Sequence, residues 1–337
     1  MKTTQETRMR RTIKRFRSKR KNRFILNALV LHGAPAMLVK FVMTLMASTD
    51  PAPLIGFLET FAGKKEVTRA LQRKFPKRPA VALDITYDRK ACDYVSAYGY
   101  AISWWLLLSV TMGFISAPVC SSFTWINRGT SKRSMAFPLG DRTVSSVVLG
   151  NTIVSNLMLQ LWLLSNIGVI WILEQPARSL MEEHPRFQLV LTAFPVYKLH
   201  VWMSDFNAPT AKPSWLYSNS PYIAELLNFR VRDSKGYVRC QKKCVVKKKR
   251  RADGSMSVSG GPDLKATQAY TREFGQAVSM WYASRMQSHS RMRAKIAAKV
   301  NKAVLEGKVD LSKAMREDGD CWSDSSLKGA MEVLQRP

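Results

Sequence analysis

Short apolar runs alternate with amphipathic stretches along the central part of this chain. Residues 54–59 and 80–85 are apolar runs typical of buried strands, and residues 64–75 between them place apolar side chains at helical spacing. A turn that contains Gly63 separates the first run from the helical stretch. Strand, turn, helix and strand in this order predict a βαβ unit with two parallel strands.

The alternation continues to about residue 228. Strands that are buried on both faces, as in a parallel sheet, form continuous apolar runs rather than alternating patterns. The pattern therefore predicts an α/β fold, a Rossmann-like core with a mostly parallel sheet. The further predicted elements are helices over residues 98–110, 143–165 and 177–190, strands over 112–117, 169–173 and 200–203, and a loop over 209–219.

The segments outside this core differ from it in composition. Residues 24–46 are apolar and are broken by the turn Gly33-Ala34-Pro35, which predicts two packed helices. Residues 230–262 are basic and then rich in Gly and Ser, as linkers are, and residues 264–305 are helical with an aromatic stripe. The predicted division is a basic arm with a helical extension (1–50), an α/β core (51–229), a basic linker (230–263) and a basic helical C-terminal region (264–337).

Two long uncharged stretches, residues 101–126 and 143–173, raise the alternative of a protein with two membrane spans. Both stretches contain glycine and polar side chains, which a bilayer would leave largely without partners at a cost of several kcal/mol each. We therefore expect no stable membrane insertion, and the two-span protein is the least favoured alternative.

Positive charge is concentrated in two segments. The chain has 53 Lys and Arg against 24 Asp and Glu, a net charge of +29. Residues 1–24 and 230–251 each hold eleven basic side chains and one acid, so they carry about +20 of that excess. Basic tracts beside a nearly neutral core predict a polyanionic partner, nucleic acid before an anionic membrane surface. Solvated tails without a specific partner are the alternative.

The five cysteines are scattered along the chain, which argues against a secreted disulfide framework. Cys240 and Cys244 have metal-like spacing, but no second Cys or His pair lies near them in the sequence, so no metal site is expected. The basic tracts fit nuclear-import signals or an organellar presequence. A nuclear location is favoured over an organelle matrix, and the sequence indicates no oligomeric state.

Two of the predicted strands each end in a reactive side chain. Cys120 follows the strand at residues 112–117, and Glu174 follows the strand at residues 169–173. Open α/β sheets place their chemistry at the carboxyl ends of their strands, so this thiol and this carboxylate are candidate catalytic groups.

A basic, hydroxyl-rich loop at residues 127–134 lies between these two strands in the sequence. Such a loop suits contacts with nucleic-acid phosphates or a cap over a substrate. The candidate nucleic-acid-binding residues are Arg128, Lys132 and Arg133 in this loop and Lys212 in the later one.

Asp84 ends the second strand of the βαβ unit, 21 residues after Gly63. In nucleotide-binding folds an acidic residue at about this distance binds ribose hydroxyls, while the turn and the start of the helix face the cofactor. With one glycine in the turn rather than three, an ordinary turn between strand and helix is an equal alternative.

Three short motifs, in this order, resemble those of the DNA cytosine-5-methyltransferase family. Residues 57–63, Phe-Leu-Glu-Thr-Phe-Ala-Gly, resemble the family's Asp-Leu-Phe-x-Gly-x-Gly-Gly, which holds S-adenosylmethionine. Residues 118–123, Pro-Val-Cys-Ser-Ser-Phe, resemble Pro-Pro-Cys-Gln-x-Phe-Ser, whose cysteine is the nucleophile. Residues 174–176, Glu-Gln-Pro, resemble Glu-Asn-Val or the Glu-Asn-Pro of divergent members. The resemblance covers roughly residues 54–228.

The resemblance implies a methyltransferase-like Rossmann core that uses S-adenosylmethionine and acts on nucleic acid, with DNA favoured over RNA. Its cysteine would add to carbon 6 of a flipped-out cytosine, and its glutamate would hydrogen-bond to ring nitrogen 3. The implied residues are Phe61, Ala62, Gly63 and Asp84 for the cofactor and Cys120 and Glu174 for catalysis.

The chain also departs from the family pattern. Lys64 and Lys65 stand where the first motif continues with glycine, Val119 replaces the second proline, and no Gln-x-Arg-x-Arg motif follows Glu174. Neither a target-recognition domain nor the closing motifs are evident after residue 230. A catalytically inactive nucleic-acid-binding protein on the same fold is therefore the second hypothesis.

Overall fold

The chain forms an α/β fold around one mixed sheet of six strands. The strand order is β2-β1-β3-β4-β6-β5; β1 to β4 are mutually parallel, and β6 runs antiparallel to both of its neighbours. The strands are β1 (Ile55–Thr60), β2 (Ala80–Leu83), β3 (Val110–Ser116), β4 (Ile170–Pro176), β5 (Tyr197–Trp202) and β6 (Pro213–Ser218). The computed structural model describes residues 20–50, 53–238, 246–250, 254, 256–260, 267–310, 328 and 330–332.

The predicted α/β class and the mostly parallel sheet are confirmed, and the sheet is compatible with a Rossmann-like fold. The helices cover both faces of the sheet, as expected for strands that read as continuous apolar runs. They are α1 (residues 20–31), α2 (Ala36–Ser48), α3 (Glu66–Lys74), α4 (Ala97–Leu107), the short α5 (Arg128–Ser131), α6 (Ser145–Asn166), α7 (Pro185–Ala193) and α8 (Arg272–Leu305).

The prediction of a loop over residues 209–219 was wrong, because residues Pro213–Ser218 form the strand β6 between β4 and β5. The sequence of this strand does not read as a buried one because two serines, Ser214 and Ser218, occupy fully buried positions on it. Pro213 begins the strand, where a missing backbone N–H is tolerated. The insertion of β6 makes β5 parallel to β4 across an antiparallel neighbour.

The predicted helix over residues 177–190 is also replaced by a different arrangement. A 3₁₀ turn at Leu180–Glu183 is followed by α7, which starts at Pro185 with the side chain of His184 accepting a hydrogen bond from the Arg186 amide. Proline favours the first turn of a helix, where its lack of an N–H costs little.

Apolar side chains on the two faces of the sheet form two separate clusters. One cluster contains Leu58, Phe114 and Trp171 and is covered by α1, α2, α4, α6 and α7. The other contains Phe57, Ile115 and Ile172 and is covered mainly by α3 and α8. Consecutive strand residues alternate between the clusters, as the pleat requires.

Among the described helices, α6 alone is long and apolar enough to cross a membrane, and 72% of its most apolar window is buried inside the protein. Several of its polar side chains form hydrogen bonds inside the protein. Gln160 accepts a hydrogen bond from the Tyr94 hydroxyl at 2.6 Å and donates to Ser103 at 2.9 Å. Asn156 donates to the Tyr94 carbonyl oxygen at 3.1 Å.

Helix α8 lies against the sheet rather than apart from it. A side chain at Gly275 would meet the carbonyl oxygen of Glu66 at 2.5 Å, so the backbone of α8 closely approaches the start of α3. The Tyr282 ring covers Gly113 in the middle of β3, and its hydroxyl donates to the Ile170 carbonyl oxygen at 3.2 Å. This docking brings the residues just before α8 to the carboxyl edge of the sheet.

The segment predicted as a linker contains two described strands, β7 (Val246–Arg250) and β8 (Met256–Gly260), which pair as an antiparallel hairpin. The predicted C-terminal helix begins later than residue 264. Thr271 is its N-cap and accepts a hydrogen bond from the Phe274 amide at 3.2 Å, so Tyr270 precedes the helix instead of lying within it.

Candidate functional site at the carboxyl edge of the sheet

Two buried carboxylates lie on the same face of the sheet. Glu59 of β1 is in register with Ile115 of β3, which is in register with Ile172 of β4. Glu174 is two residues further along β4, so its side chain points to the same face as Ile172, toward α3 and α8. Glu59 is 1% and Glu174 is 4% exposed. Buried acids are rare unless they are paired or functional, so both require an explanation.

Cys120 lies beside Glu174. Gln175 donates a hydrogen bond at 3.1 Å to the carbonyl oxygen of Pro118, which ties the end of β4 to the loop that carries the thiol. Burial and then the Glu174 carboxylate raise the pKa of the Cys120 thiol to about 11, and Lys212 opposes this rise. The two predicted catalytic side chains therefore lie near each other, with the thiol protonated at neutral pH.

Lys212 brings a positive charge to this group. Its ammonium nitrogen is 3.5 Å from Oε1 of Glu174 and 5.8 Å from the centroid of the Tyr270 ring. Lys212 lies at the turn that leads into β6, and its φ of +30° is unusual for a residue with a side chain. Lys212 thus balances the Glu174 charge instead of standing on an open surface, as a contact for nucleic-acid phosphates would.

Glu59 is held by the start of α3. Its Oε2 accepts hydrogen bonds from the Thr68 amide at 2.8 Å and from the Thr68 hydroxyl. Its Oε1 is buried and accepts no hydrogen bond from the described residues. Burial outweighs the hydrogen bonds from Thr68 and raises the pKa of Glu59 to about 7. Glu59 is therefore partly protonated at neutral pH.

Tyr270 was not predicted as a site residue. Its hydroxyl is buried and points toward Glu174, and burial and the nearby Glu174 and Glu59 carboxylates raise its pKa well above the usual range. Its ring packs on Phe274 with centroids 4.6 Å apart. The sequence signal that could have identified it is Thr271, a good N-cap, which places Tyr270 outside the helix and at the edge where α8 begins.

The four predicted cofactor residues lie together after β1 and β2. Phe61 and Gly63 both have positive φ, +57° and +49°, so the chain turns sharply here. The Phe61 ring packs on Tyr94 with centroids 4.9 Å apart, and the buried Ala62 donates from its amide to the Leu83 carbonyl oxygen at 3.2 Å. The Gly63 amide donates a hydrogen bond to Oδ2 of Asp84 at 2.9 Å, which joins the turn after β1 to the end of β2.

An open cleft of about 530 Å³ lies beside Asp84, lined by Ile85, Thr86, Arg89 and Asp93. Ile85 is 51% exposed, which is unusual for an apolar side chain directly after a sheet strand. A cleft of this size falls within the range that holds small-molecule ligands. The Asp84 carboxylate accepts from the Gly63 amide through one oxygen and from the Thr86 amide, at 3.0 Å, through the other.

The basic loop divides into exposed and buried parts. Arg128 and Lys132 are exposed and stay candidates for phosphate contacts. Arg133 does not fit that prediction, because it is 2% exposed and its guanidinium donates to Ser122 at 3.1 Å and to Asn151 at 2.9 Å. It also covers the Phe123 ring, 3.8 Å from the centroid. Burial lowers the pKa of Arg133 to about 10, and the side chain holds the loop together from inside.

Within the described residues, no group of three or more His, Cys, Asp or Glu side chains could hold a metal ion. Cys240, Cys244 and Cys321 lie outside the described residues, as do most of the basic tracts predicted to serve nuclear import. No protein-family model and no curated protein sequence matches this chain.

Proposed function

We propose that this protein is an S-adenosylmethionine-dependent, cytosine-5-methyltransferase-like protein that acts on nucleic acid through Cys120 and Glu174. The observation that supports this most is the meeting of a thiol, a carboxylate and the Lys212 ammonium at the carboxyl ends of two adjacent parallel strands. Neither burial nor packing requires these three groups together. A reaction that adds a nucleophile to a ring and stabilises the adduct requires the thiol and the carboxyl group, and Lys212 balances the charge of the latter.

The chemistry assigns each group a role. Carbon 5 of cytosine is a poor nucleophile, and addition of a thiolate at carbon 6 converts the ring to an enamine that can attack an electrophilic methyl group. S-adenosylmethionine, when bound, would supply that methyl group and leave as the neutral thioether; loss of the carbon-5 proton to water and expulsion of the Cys120 thiolate from carbon 6 would then complete the reaction. Glu174, when protonated, donates a hydrogen bond to ring nitrogen 3 and so favours the adduct. The base reaches this edge only from a single strand or after it has flipped out of a duplex.

The protonation states of Cys120 and Glu174 are linked. A thiolate and a carboxylate this close repel each other, and that repulsion contributes to the raised pKa of Cys120. The Cys120 thiol is therefore protonated at neutral pH in the free protein, and the proposed addition requires that this repulsion be relieved when the target base binds beside Glu174.

The turn after β1 and the strand end after β2 fit the adenosine part of the proposed cofactor. The open cleft beside Asp84 has the right size, and the exposed Ile85 offers an apolar face to a planar ring. Asp84 lies in hydrogen-bonding contact with Gly63, so the turn and the acid form one unit. Asp84, Gly63 and Ile85 are the residues of this chain that would hold the cofactor.

A catalytically inactive nucleic-acid-binding protein on the same fold is the second candidate. Two observations favour it. Lys65, in the segment Lys64-Lys65-Glu66 that replaces the family's Gly-rich one, has a φ of +60° and sets its ammonium 3.5 Å above the Tyr87 ring, which puts positive charge next to the site for a cationic cofactor. The Cys120 thiol also has a pKa of about 11, far above that of an activated nucleophile.

Calorimetric titration with S-adenosylmethionine separates the two candidates. We expect saturable binding by the wild type, weakened at least about tenfold in Asp84→Ala, which corresponds to about 1.4 kcal/mol. Asp141→Ala is the matched control, because Asp141 also accepts hydrogen bonds in a local turn but lies in a different loop. Absence of binding by a folded wild type at millimolar ligand would refute the methyltransferase proposal and favour the inactive binding protein.

A further inference from the structure

A small space beside Lys212 and Tyr270 is enclosed by the chain itself. Residues 267–271, here called the strap, run along the carboxyl edge of the sheet just before α8. The space left between the strap and the residues leading into β6 is about 10 Å³, lined by Lys212, Tyr270 and Thr271 among others. That volume holds one water at most, so no planar base fits there in this conformation.

Tyr270 fills the position that a base would take. Its aromatic ring lies near Lys212, and its buried hydroxyl is directed at Glu174. A flat ring with a hydrogen-bonding edge toward Glu174 is what the proposed reaction requires of a cytosine. Oε1 of Glu174 and the Tyr270 hydroxyl are both buried, and neither has a hydrogen bond of good geometry to a described residue. Oε1 of Glu174 is paired with the Lys212 ammonium at 3.5 Å, but a ligand that also gave it a hydrogen bond would compete with Tyr270 for this position.

The strap is anchored where it joins α8. Thr271 donates from its hydroxyl to the Phe206 carbonyl oxygen at 2.5 Å and caps α8, and Tyr270 packs on Phe274 in the first turn. Because these contacts hold Thr271 and the first turn of α8, displacing the Tyr270 side chain means breaking its packing on Phe274.

We propose that the strap is an autoinhibitory element, in which Tyr270 occupies the base pocket and the target base enters by displacing it. The closed position of Tyr270 rests on its packing against Phe274 and on its place beside Lys212. The identity of the displacing ligand as a cytosine rests on the proposed function. Displacement would also open the thiol to water, so opening the strap and exposing Cys120 become one event.

Alkylation of Cys120 by iodoacetamide at pH 8 tests the closure, with peptide mass spectrometry reading Cys120 and Cys92 in the same sample. In Tyr270→Ala we expect Cys120 to react about tenfold faster, the effect of a pKa lower by about one unit. Tyr270→Phe keeps the ring and should react within about twofold of the wild type, a difference of about 0.4 kcal/mol. Tyr237→Ala is the matched control, since Tyr237 is 70% exposed and lies away from the edge.

An unchanged rate in Tyr270→Ala would overturn the proposal, and so would equal acceleration in Tyr270→Phe, because the hydroxyl rather than the ring would then shield the thiol. Faster alkylation of Cys92 would reveal unfolding, and Tyr270→Leu, which retains apolar packing on Phe274, would then replace the alanine variant under the same expectations.

The second arm adds millimolar 2′-deoxycytidine. We expect it to slow alkylation of Cys120 in Tyr270→Ala severalfold and to have little effect on the wild type. If Tyr270→Ala speeds the alkylation of Cys120 but 2′-deoxycytidine does not slow it, the assignment of the pocket to a cytosine is overturned, and the proposed function with it. The proposal that the strap closes the pocket would remain. Failure of S-adenosylmethionine binding alone would leave both the strap and the base pocket in place.

Discussion

The buried carboxyl group of Glu59 offers the sharpest test of the electrostatics at this edge. Glu59 is 1% exposed, and burial raises its pKa from 4.5 to about 7 in the folded protein. The unfolded chain exposes the group, so its pKa returns to the ordinary value. Substitution by Gln removes the titration and keeps an oxygen that can accept the two hydrogen bonds from Thr68.

The sign and the size of the effect follow from proton linkage. Between pH 4.5 and about 7 the folded state holds a proton on Glu59 that the unfolded state has lost. The free energy of unfolding contributed by this group is therefore full below pH 4.5, falls as the pH rises, and levels off above pH 7. Each pKa unit is worth about 1.4 kcal/mol, so the loss is about 3 kcal/mol. Because Glu59 is almost fully buried, no discount for solvent screening applies.

The measurement is urea unfolding of the wild type and Glu59→Gln at pH values from 4.5 to 8. Their difference isolates Glu59, because other groups titrate in the same range. Burial lowers the pKa of His184 to about 3, for example, so that this residue adds stability as the pH rises toward 6.5. We expect Glu59→Gln to gain about 3 kcal/mol on the wild type across the range. If the difference in the free energy of unfolding between Glu59→Gln and the wild type stays constant with pH, the raised pKa of Glu59 is refuted.

Two further predictions concern the thiol and the loop. Glu174→Gln should lower the pKa of Cys120 and speed its alkylation at pH 8, because the carboxylate raises that pKa. Lys212→Met should slow the alkylation, because the ammonium lowers the same pKa. A change of the alkylation rate in the same direction in both variants would contradict this assignment of the two charges. Arg133→Met should lower the free energy of unfolding by about 2–4 kcal/mol, because several buried acceptors lose their donor. Lys132→Met, at the adjacent exposed residue, serves as the control in urea unfolding. Equal losses in the free energy of unfolding from the two substitutions would show that the buried hydrogen bonds of Arg133 do not stabilise the fold.

The order and type of most core elements could be predicted because their signals are local. The apolar run at residues 80–85 corresponds to β2 at Ala80–Leu83, and the uncharged stretch at 143–165 corresponds to α6 at Ser145–Asn166. In both, a continuous apolar pattern is bounded by polar or turn residues, and burial on every side leaves little competition from other conformations. The side chains at the ends of β3 and β4 follow directly from these boundaries.

Long-range contacts account for what the sequence pattern missed. A loop with Arg128, Lys132 and Arg133 reads as uniformly basic, yet the fold buries Arg133 among backbone carbonyls and a Phe ring, which no local pattern encodes. Likewise, Tyr270 reaches Glu174 only because α8 docks across the sheet. That docking depends on Gly275, whose lack of a side chain permits the close approach to Glu66.

The charge distribution also indicates which part of a nucleic acid this edge can receive. The excess of positive charge lies mainly in residues 1–24 and 230–251, whereas the edge itself holds two buried acids and a single paired ammonium. A phosphate brought to Glu59 and Glu174 would meet like charge in a poorly screened interior. A neutral base would meet a hydrogen-bonding carboxyl and a thiol instead. The proposed function therefore predicts phosphate contacts away from this edge, on the basic segments or on the exposed Arg128 and Lys132, and a base at the edge.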